Sequence, residues 1–321
     1  MLRIRHRNLV LALGLGLALT SAACKKDGAG GPGGGGASGD DLSLLPVDSE
    51  LVLGINVAQV EQSALWKQLV EPKIMASNDF NTKLADFKTK CGFDPMSAVQ
   101  SISIGLKGLG ADKPNGAFVV HGLDKTKTWA CLDTMKADIT KDGTEFTKVG
   151  DVATFKNPKN NSTVAVTFVN DNTLLATIGD QGTPDGVKAA AAGKSALKSS
   201  PQFVDMYGKV KTSDSLWGLM NGNSKAFDKM GSMGFKPKAM FGSLNVTDGL
   251  SVDLLMRLET PDAAASLTQL AKSQLDHAQQ MVDKAEVSND GADVKFSIAM
   301  SNQKLQDLIK NFGGMIGAMA H

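Results

Sequence analysis

The sequence predicts an α+β fold, with antiparallel sheets covered by helices and two related units forming an internal duplication. Three observations carry that expectation. Short runs alternate at strand period: Val164, Val166 and Phe168 interleave with Ala165 and Thr167, and Asn170-Asp171-Asn172 supplies a hairpin turn before Leu174 to Ile178. Such alternation over consecutive runs suits an antiparallel sheet with a covered face. Elsewhere apolar residues recur at helical spacing, as in Leu267, Leu270, Ala271, Ala278, Met281 and Val282. Finally, the order of segments in residues 42–208 returns in residues 209–321.

In chain order, Leu51 to Val57 reads as a strand, and Val60 to Val70 as a short helix with Leu65, Trp66 and Leu69 on one side. A second helix, Phe80 to Lys90, stops at Cys91-Gly92, because glycine adopts the left-handed conformation in which helices commonly end. Strands follow at Ser101 to Leu106 and Ala117 to Leu123. Asp124 then caps a helix carrying Trp129, Leu132, Met135 and Ile139, its carboxylate being able to accept from the free amides of the first turn. A meander of strands fills 144–179, and residues 180–200 read as a polar, alanine-rich connection.

The second unit repeats several of these marks. Asp48-Ser49-Glu50-Leu51 is echoed by Asp214-Ser215-Leu216-Trp217, and Gly92-Phe93-Asp94-Pro95 by Gly234-Phe235-Lys236-Pro237. Strands at Phe241 to Val246 and Leu250 to Leu258 answer the first pair, and a helix over 261–284 answers the one that Asp124 caps. Val294 lies 60 residues after Gly234 (294 − 234), as Val152 does after Gly92 (152 − 92). The expected unit is strand, helix, strand, strand, helix, strand, strand, used twice. A last helix at Gln303 to Phe312 leads into a small, apolar tail from Gly313 to Met319, expected to fray.

Two segments precede the units. Arg3, Arg5 and Arg7 lead into 11 apolar residues, Leu9 to Leu19, the length of a secretory apolar region and short of the ~20 residues that cross a bilayer. Residues 24–41 hold Cys24 and a glycine-rich stretch that cannot build a core. As a random coil, residues 25–41 have an r.m.s. reach of roughly 20–25 Å.

The junction Leu19-Thr20-Ser21-Ala22-Ala23-Cys24 resembles that of bacterial lipoprotein precursors. The resemblance implies that residues 1–23 are a signal peptide and that the Cys24 thiol takes a diacylglyceryl group. Cys24 then becomes the mature N-terminus, held at a membrane by acyl chains worth ~0.8 kcal/mol per buried methylene. Ser21 departs from the family, which usually has Leu there, and an ordinary signal cut after Ala23 is the alternative. Lys25, where an Asp tends to retain such proteins at the inner membrane, favours the outer membrane, facing the periplasm or the cell surface. The mature part is similar in layout to the glycine-tethered lipoproteins of bacterial envelopes.

With Cys24 acylated, Cys91 and Cys131 are left as an even pair in an exported protein, where disulfides persist. Their bridge closes a loop of 40 residue steps (131 − 91), worth about 4 kcal/mol in the chain-entropy description. Two reduced, buried thiols are the alternative.

Little in the sequence carries chemistry. His121 lies inside an expected strand, where a hydrogen-bonded imidazole is the ordinary case, and His277 on a polar helix face. No histidine pair has metal-ligand spacing, so no metal or cofactor is expected. Serine lacks the Gly-x-Ser-x-Gly or Ser-x-x-Lys context of a nucleophile, and no catalytic set emerges. Of 34 lysines and arginines three lie in the leader, leaving 31 against 33 acidic residues, with Arg257 as the one arginine beyond the leader. Nucleic acid is therefore not an expected partner. The methionines at 220, 230, 233, 240 and 256 fill a core or line an adaptable surface. The expectation is a membrane-anchored, non-enzymatic protein of interaction or structural role in the envelope, binding another protein. The alternative is a carrier of a hydrophobic ligand such as a lipid, held between the sheet and the long helix.

Overall fold

The computed structural model describes residues 41–109, 114–194, 196–222, 237–275 and 281–307, with Phe227 and Gln279. The expectations for the leader and Cys24, for His277, for Met230 and Met233, for Gly234-Phe235-Lys236 and for the chain from Leu308 onward lie outside those residues.

The first unit contributes β1 (Leu51–Asn56), β2 (Ser101–Lys107), β3 (Asn115–His121), β4 (Glu145–Val149), β5 (Val152–Asn157), β6 (Ser162–Asn170) and β7 (Thr173–Ile178). The second contributes β8 (Leu216–Asn221), β9 (Ala239–Asn245), β10 (Leu250–Arg257), β11 (Lys284–Asp290) and β12 (Asp293–Met300). The helices are α1 (Val57–Gln62), α2 (Glu71–Met75), α3 (Asn78–Cys91), α4 (Pro95–Ala98), α5 (Lys125–Thr134) and α6 (Lys136–Thr140). They continue with α7 (Pro184–Ala191), α8 (Pro201–Tyr207) and α9 (Pro261–Lys272).

All twelve strands belong to one antiparallel sheet in the order β11-β12-β10-β9-β8-β1-β2-β3-β7-β6-β5-β4. The expected plural sheets are thus a single one. The physical reason is the pairing of β1 with β8, which leaves neither first strand with an open edge. Leu53 stands opposite Gly218 at this seam, and Gly54 opposite Trp217. The Trp217 indole lies directly on Gly54, where a Cβ would come 2.1 Å from Nε1. On the other face a Cβ at Gly218 would meet Leu53 Cδ2 at 2.8 Å. Each glycine makes room for its neighbour across the seam.

The first face of the sheet is sealed at its centre. Val52, Trp217, Leu219 and Phe241 pack with Leu42 and Leu45 and with Val187, Leu197, Phe203 and Met206 from the connection between the units. Residues 180–200 are therefore not merely a polar connection. Thr183 caps α7, and Val187 and Leu197 are fully buried, the small alanines around them letting the helix lie close.

Local signals behave largely as expected. Gly92 ends α3 at φ 72°, Asp124 accepts from Lys127 N at 2.8 Å, and Asn170 accepts from Asn172 N at 2.9 Å. The first helix starts earlier, at Val57, capped by Asn56; it breaks at Ser63 and the chain is helical again over 64–70, with Trp66–Val70 as a π-helix. The helix capped by Asp124 breaks at Met135 into α5 and α6. The helix expected over 261–284 breaks after α9 at a turn over 273–274; Leu275, Gln279 and Met281 are helical again, and Lys284 already belongs to β11.

Candidate functional site

The second face of the sheet is the candidate site. Its middle row runs Phe296, Leu254, Gly242, Gly218 in the second unit and continues Leu53, Ile104, Phe118, Ala176, Val166 in the first. One flanking row runs Ile298, Val252, Leu244, Leu216, then Ile55, Ile102, Val120, Leu174, Phe168. The other runs Val294, Met256, Met240, Met220, then Leu51, Leu106, Gly116, Ile178, Val164. Three rows across nine strands give 27 positions, and every one is apolar or glycine. At ~4.8 Å between strands the floor is about 38 Å long.

Helices cover two diagonally opposite corners of this floor. At one, Ile102, Val120, Leu174 and Phe168 are buried against Val57 of α1, Ala98 of α4 and Trp129 of α5. At the other, Met256 and Val294 are buried against Ala264, Leu267 and Ala271 of α9. A diagonal strip remains between them. Leu51, Leu53, Leu106, Leu216, Leu244, Val252 and Leu254 are each half-buried, and none belongs to the three core clusters found among the described residues. Ile298 at the strip's end is 38% exposed. In β1 the contrast is sharp: Val52 on the sealed face is 1% exposed, while Leu51 and Leu53 on this one stay intermediate. The long-helix stripe is likewise not fully packed, with Leu270 60% exposed.

Polar chemistry sits elsewhere, and two of its clusters are paired internally. His121 Nε2 lies 2.8 Å from Asp41 Oδ1, its Nδ1 lies 3.1 Å from Thr173 Oγ1, and Ser103 donates to Asp41 Oδ2 at 2.6 Å. These bonds pin Asp41 onto β2 and β3. Arg257 donates from Nε to Asp293 Oδ1 at 2.6 Å and from Nη2 to Oδ2 at 2.9 Å, and reaches Asp205 of α8 at 2.8 Å. Burial pushes the Asp293 carboxyl up, but the hydrogen bonds from Arg257 and Lys209 outweigh it and hold the group below its ordinary value. Arg257 therefore clamps α8 to the sheet.

On the sealed side of the second unit, Lys211, Asp253, Lys284, Glu286, Lys295 and Ser297 border a groove of about 250 Å³. Its charges neutralise one another: Asp253 meets Lys211 at 2.6 Å and Lys295 at 3.5 Å, and Lys284 meets Glu286 at 2.9 Å. Burial alone would raise the Asp253 carboxyl, yet bonds from Lys211 and Ser297 bring it down to about 2.

Glu61 in α1 was not singled out by the sequence. Burial, with Asp94 and Glu71 nearby, raises its carboxyl to about 7, and its Oε1 is buried without a hydrogen-bond partner among the described residues. Cys91 and Cys131 come together as expected, with sulfurs 2.03 Å apart, joining α3 to α5 beside the Met135 thioether at 3.5 Å from Cys91 Sγ. Among the described residues no group of three or more His, Cys, Asp or Glu is placed to hold a metal, and no helix is long and apolar enough to cross a membrane.

No family model matches this chain, and no curated protein or solved structure matches it either. The functional reading therefore rests on the residues themselves.

Proposed function

We propose that this protein is a non-enzymatic, lipid-anchored protein of the bacterial envelope that binds a hydrophobic ligand on the half-covered strip of its sheet. The floor carries the reading. Twenty-seven neighbouring positions offer no hydrogen-bond donor or acceptor side chain, so an occupant with polar groups facing the strip would leave them unpaired at about 1–3 kcal/mol each. Hydrocarbon carries no such penalty. This favours the carrier reading over a surface for a protein partner, whose interface needs polar contacts to fix its orientation.

Delivery to the envelope rests on the leader and on Cys24, with the outer membrane favoured by Lys25. Labelled palmitate is expected to enter the precursor and not Cys24→Ala. Equal labelling of both would remove the anchor.

Ligand binding is tested with a fluorescent fatty acid on the purified mature protein. Leu53→Lys at the seam, or Leu244→Lys should the first variant not fold, is expected to weaken binding at least tenfold while the melting temperature holds. No binding by the parent protein, or equal binding by a folded variant, would overturn the assignment.

We read the two units as copies of one ancestral unit related by a twofold axis through Leu53 and Gly218. Strand bounds and registers support it. β1 and β8 are offset by 165 residues (216 − 51), β2 and β9 by 138 (239 − 101), and β7 and β12 by 120 (293 − 173). β3 and β10 are offset by 136 (257 − 121), and so are the cap residues Asp124 and Thr260 of α5 and α9 (260 − 124). At the seam Asn56 N donates to Ser215 O at 2.8 Å and Asn221 N to Glu50 O at 2.9 Å, mates under the 165-residue offset. This correspondence matches β7 with β12, not Val152 with Val294, and leaves β4 and β5 as an added hairpin at the edge.

A further inference from the structure

We infer that the ligand is a lipid with two hydrocarbon chains, one lying along each half of the strip, with its polar head turned to water above Leu53. This deepens the hydrophobic-ligand reading and rests on it.

The strip is repeated by the same axis that relates the units. Leu216, Leu244 and Ile298 in the second half take the places of Leu51, Leu106 and Ile178 in the first. What one half can hold, the other can hold in the opposite direction. Along the first half, from β1 to β6, there are four strand spacings, or about 19 Å. Along the second, from β8 to β12, there are three, or about 14 Å. A bilayer's hydrocarbon core is ~30 Å thick and holds two chains end to end, so one acyl chain spans about 15 Å. Each half therefore matches one chain, while the whole floor is more than twice too long for one.

Two features set the direction. α5 with α1 and α4 closes one corner and α9 closes the opposite one, so among the described residues a chain starting at the centre has a single way out in each unit that no helix closes. At the centre Gly218 and Gly242 stand side by side in the middle row and open the floor by two side chains. No charged residue faces the ligand anywhere on the floor. A head group therefore finds no partner there and stays in water, and recognition is of the chains rather than of the head.

The test is native mass spectrometry of the mature protein with two probes of one head group: a single-chain lysophosphatidylcholine and a two-chain phosphatidylcholine of equal chain length. Saturation at two lysolipids, and at one two-chain lipid bound at least a hundredfold more tightly, is expected from joining two equivalent subsites. Leu106→Lys in the first half and Leu244→Lys in the second should each cut the lysolipid count from two to one. Using both sites guards against one variant failing to fold, and melting curves report folding independently. Saturation at one lysolipid, or at two two-chain lipids, overturns the two-chain inference and leaves the hydrophobic-ligand reading standing. Binding of neither probe overturns both.

Discussion

Replacing Gly54 by Ala probes the seam where β1 pairs with β8. An added Cβ would sit 2.1, 2.2 and 2.7 Å from Nε1, Cε2 and Cζ2 of Trp217, against ordinary carbon contacts of ~3.5–4.0 Å. The indole must move by more than 1 Å to restore contact distance, yet it is 2% exposed and meets the Tyr207 ring edge-on at 5.3 Å. Overpacking of this kind costs about 1–3 kcal/mol, offset by up to ~1 kcal/mol from removing a flexible residue from a strand. A net loss of about 2 kcal/mol corresponds to a melting temperature lower by ~4–8 °C at this chain size. Urea unfolding of the mature protein should show it as a reduced midpoint at unchanged slope. The decisive assay is a double-mutant cycle with Trp217→Leu, which removes the ring. If the seam is as described, Gly54→Ala should cost at least 1 kcal/mol less in the Trp217→Leu background. Costs that add within ~0.5 kcal/mol would refute the contact.

Three further outcomes follow from the same structure. Cys91→Ser with Cys131→Ser removes a bridge spanning 40 residues and should lower unfolding stability by ~2–4 kcal/mol, read by denaturant titration against the disulfide-bonded parent protein. The folded value of Glu61, about 7, lies above its ordinary 4.5, so the folded state holds the extra proton and stability falls as pH rises from 4.5 through 7. Glu61→Gln should flatten that slope and stabilise the protein above pH 7 by ~1–2 kcal/mol after allowance for partial exposure, seen in melting curves taken across pH. Arg257→Lys keeps the charge but loses the two-pronged bond to Asp293, and should cost ~1–3 kcal/mol by urea unfolding. Because the Asp293 carboxyl is depressed, its contribution is present above pH 3.8 and lost as pH falls below it, and the variant should lose less on acidification.

Much of the local structure was legible in the sequence because it depends on neighbours a few residues away. Asp124, Gly92 and the Asn170-Asp171-Asn172 turn act through bonds to amides and carbonyls within four residues, so their residue types suffice. The antiparallel meander followed from alternation at period two, and the Cys91–Cys131 pairing from an even count of remaining thiols.

What needed the fold was every relation between distant segments. That residues 180–200 seal a face was hidden by their alanines, since small side chains look like linker until Val187 and Leu197 find a core. The role of Glu61 depends on burial and on Asp94 and Glu71, which no periodicity reveals. β1 did hold a hint of the site: Leu51, Val52, Leu53 and Ile55 are apolar on both faces, as in a strand covered twice. Which face would be only half-covered was set by the pairing of β1 with β8 and by helices landing on opposite corners. The sequence by itself determined the strands and the turns, because these are short-range and compositional. Tertiary structure alone decided that two apolar faces differ in coverage, because exposure belongs to what packs across a surface and not to the residue that presents it.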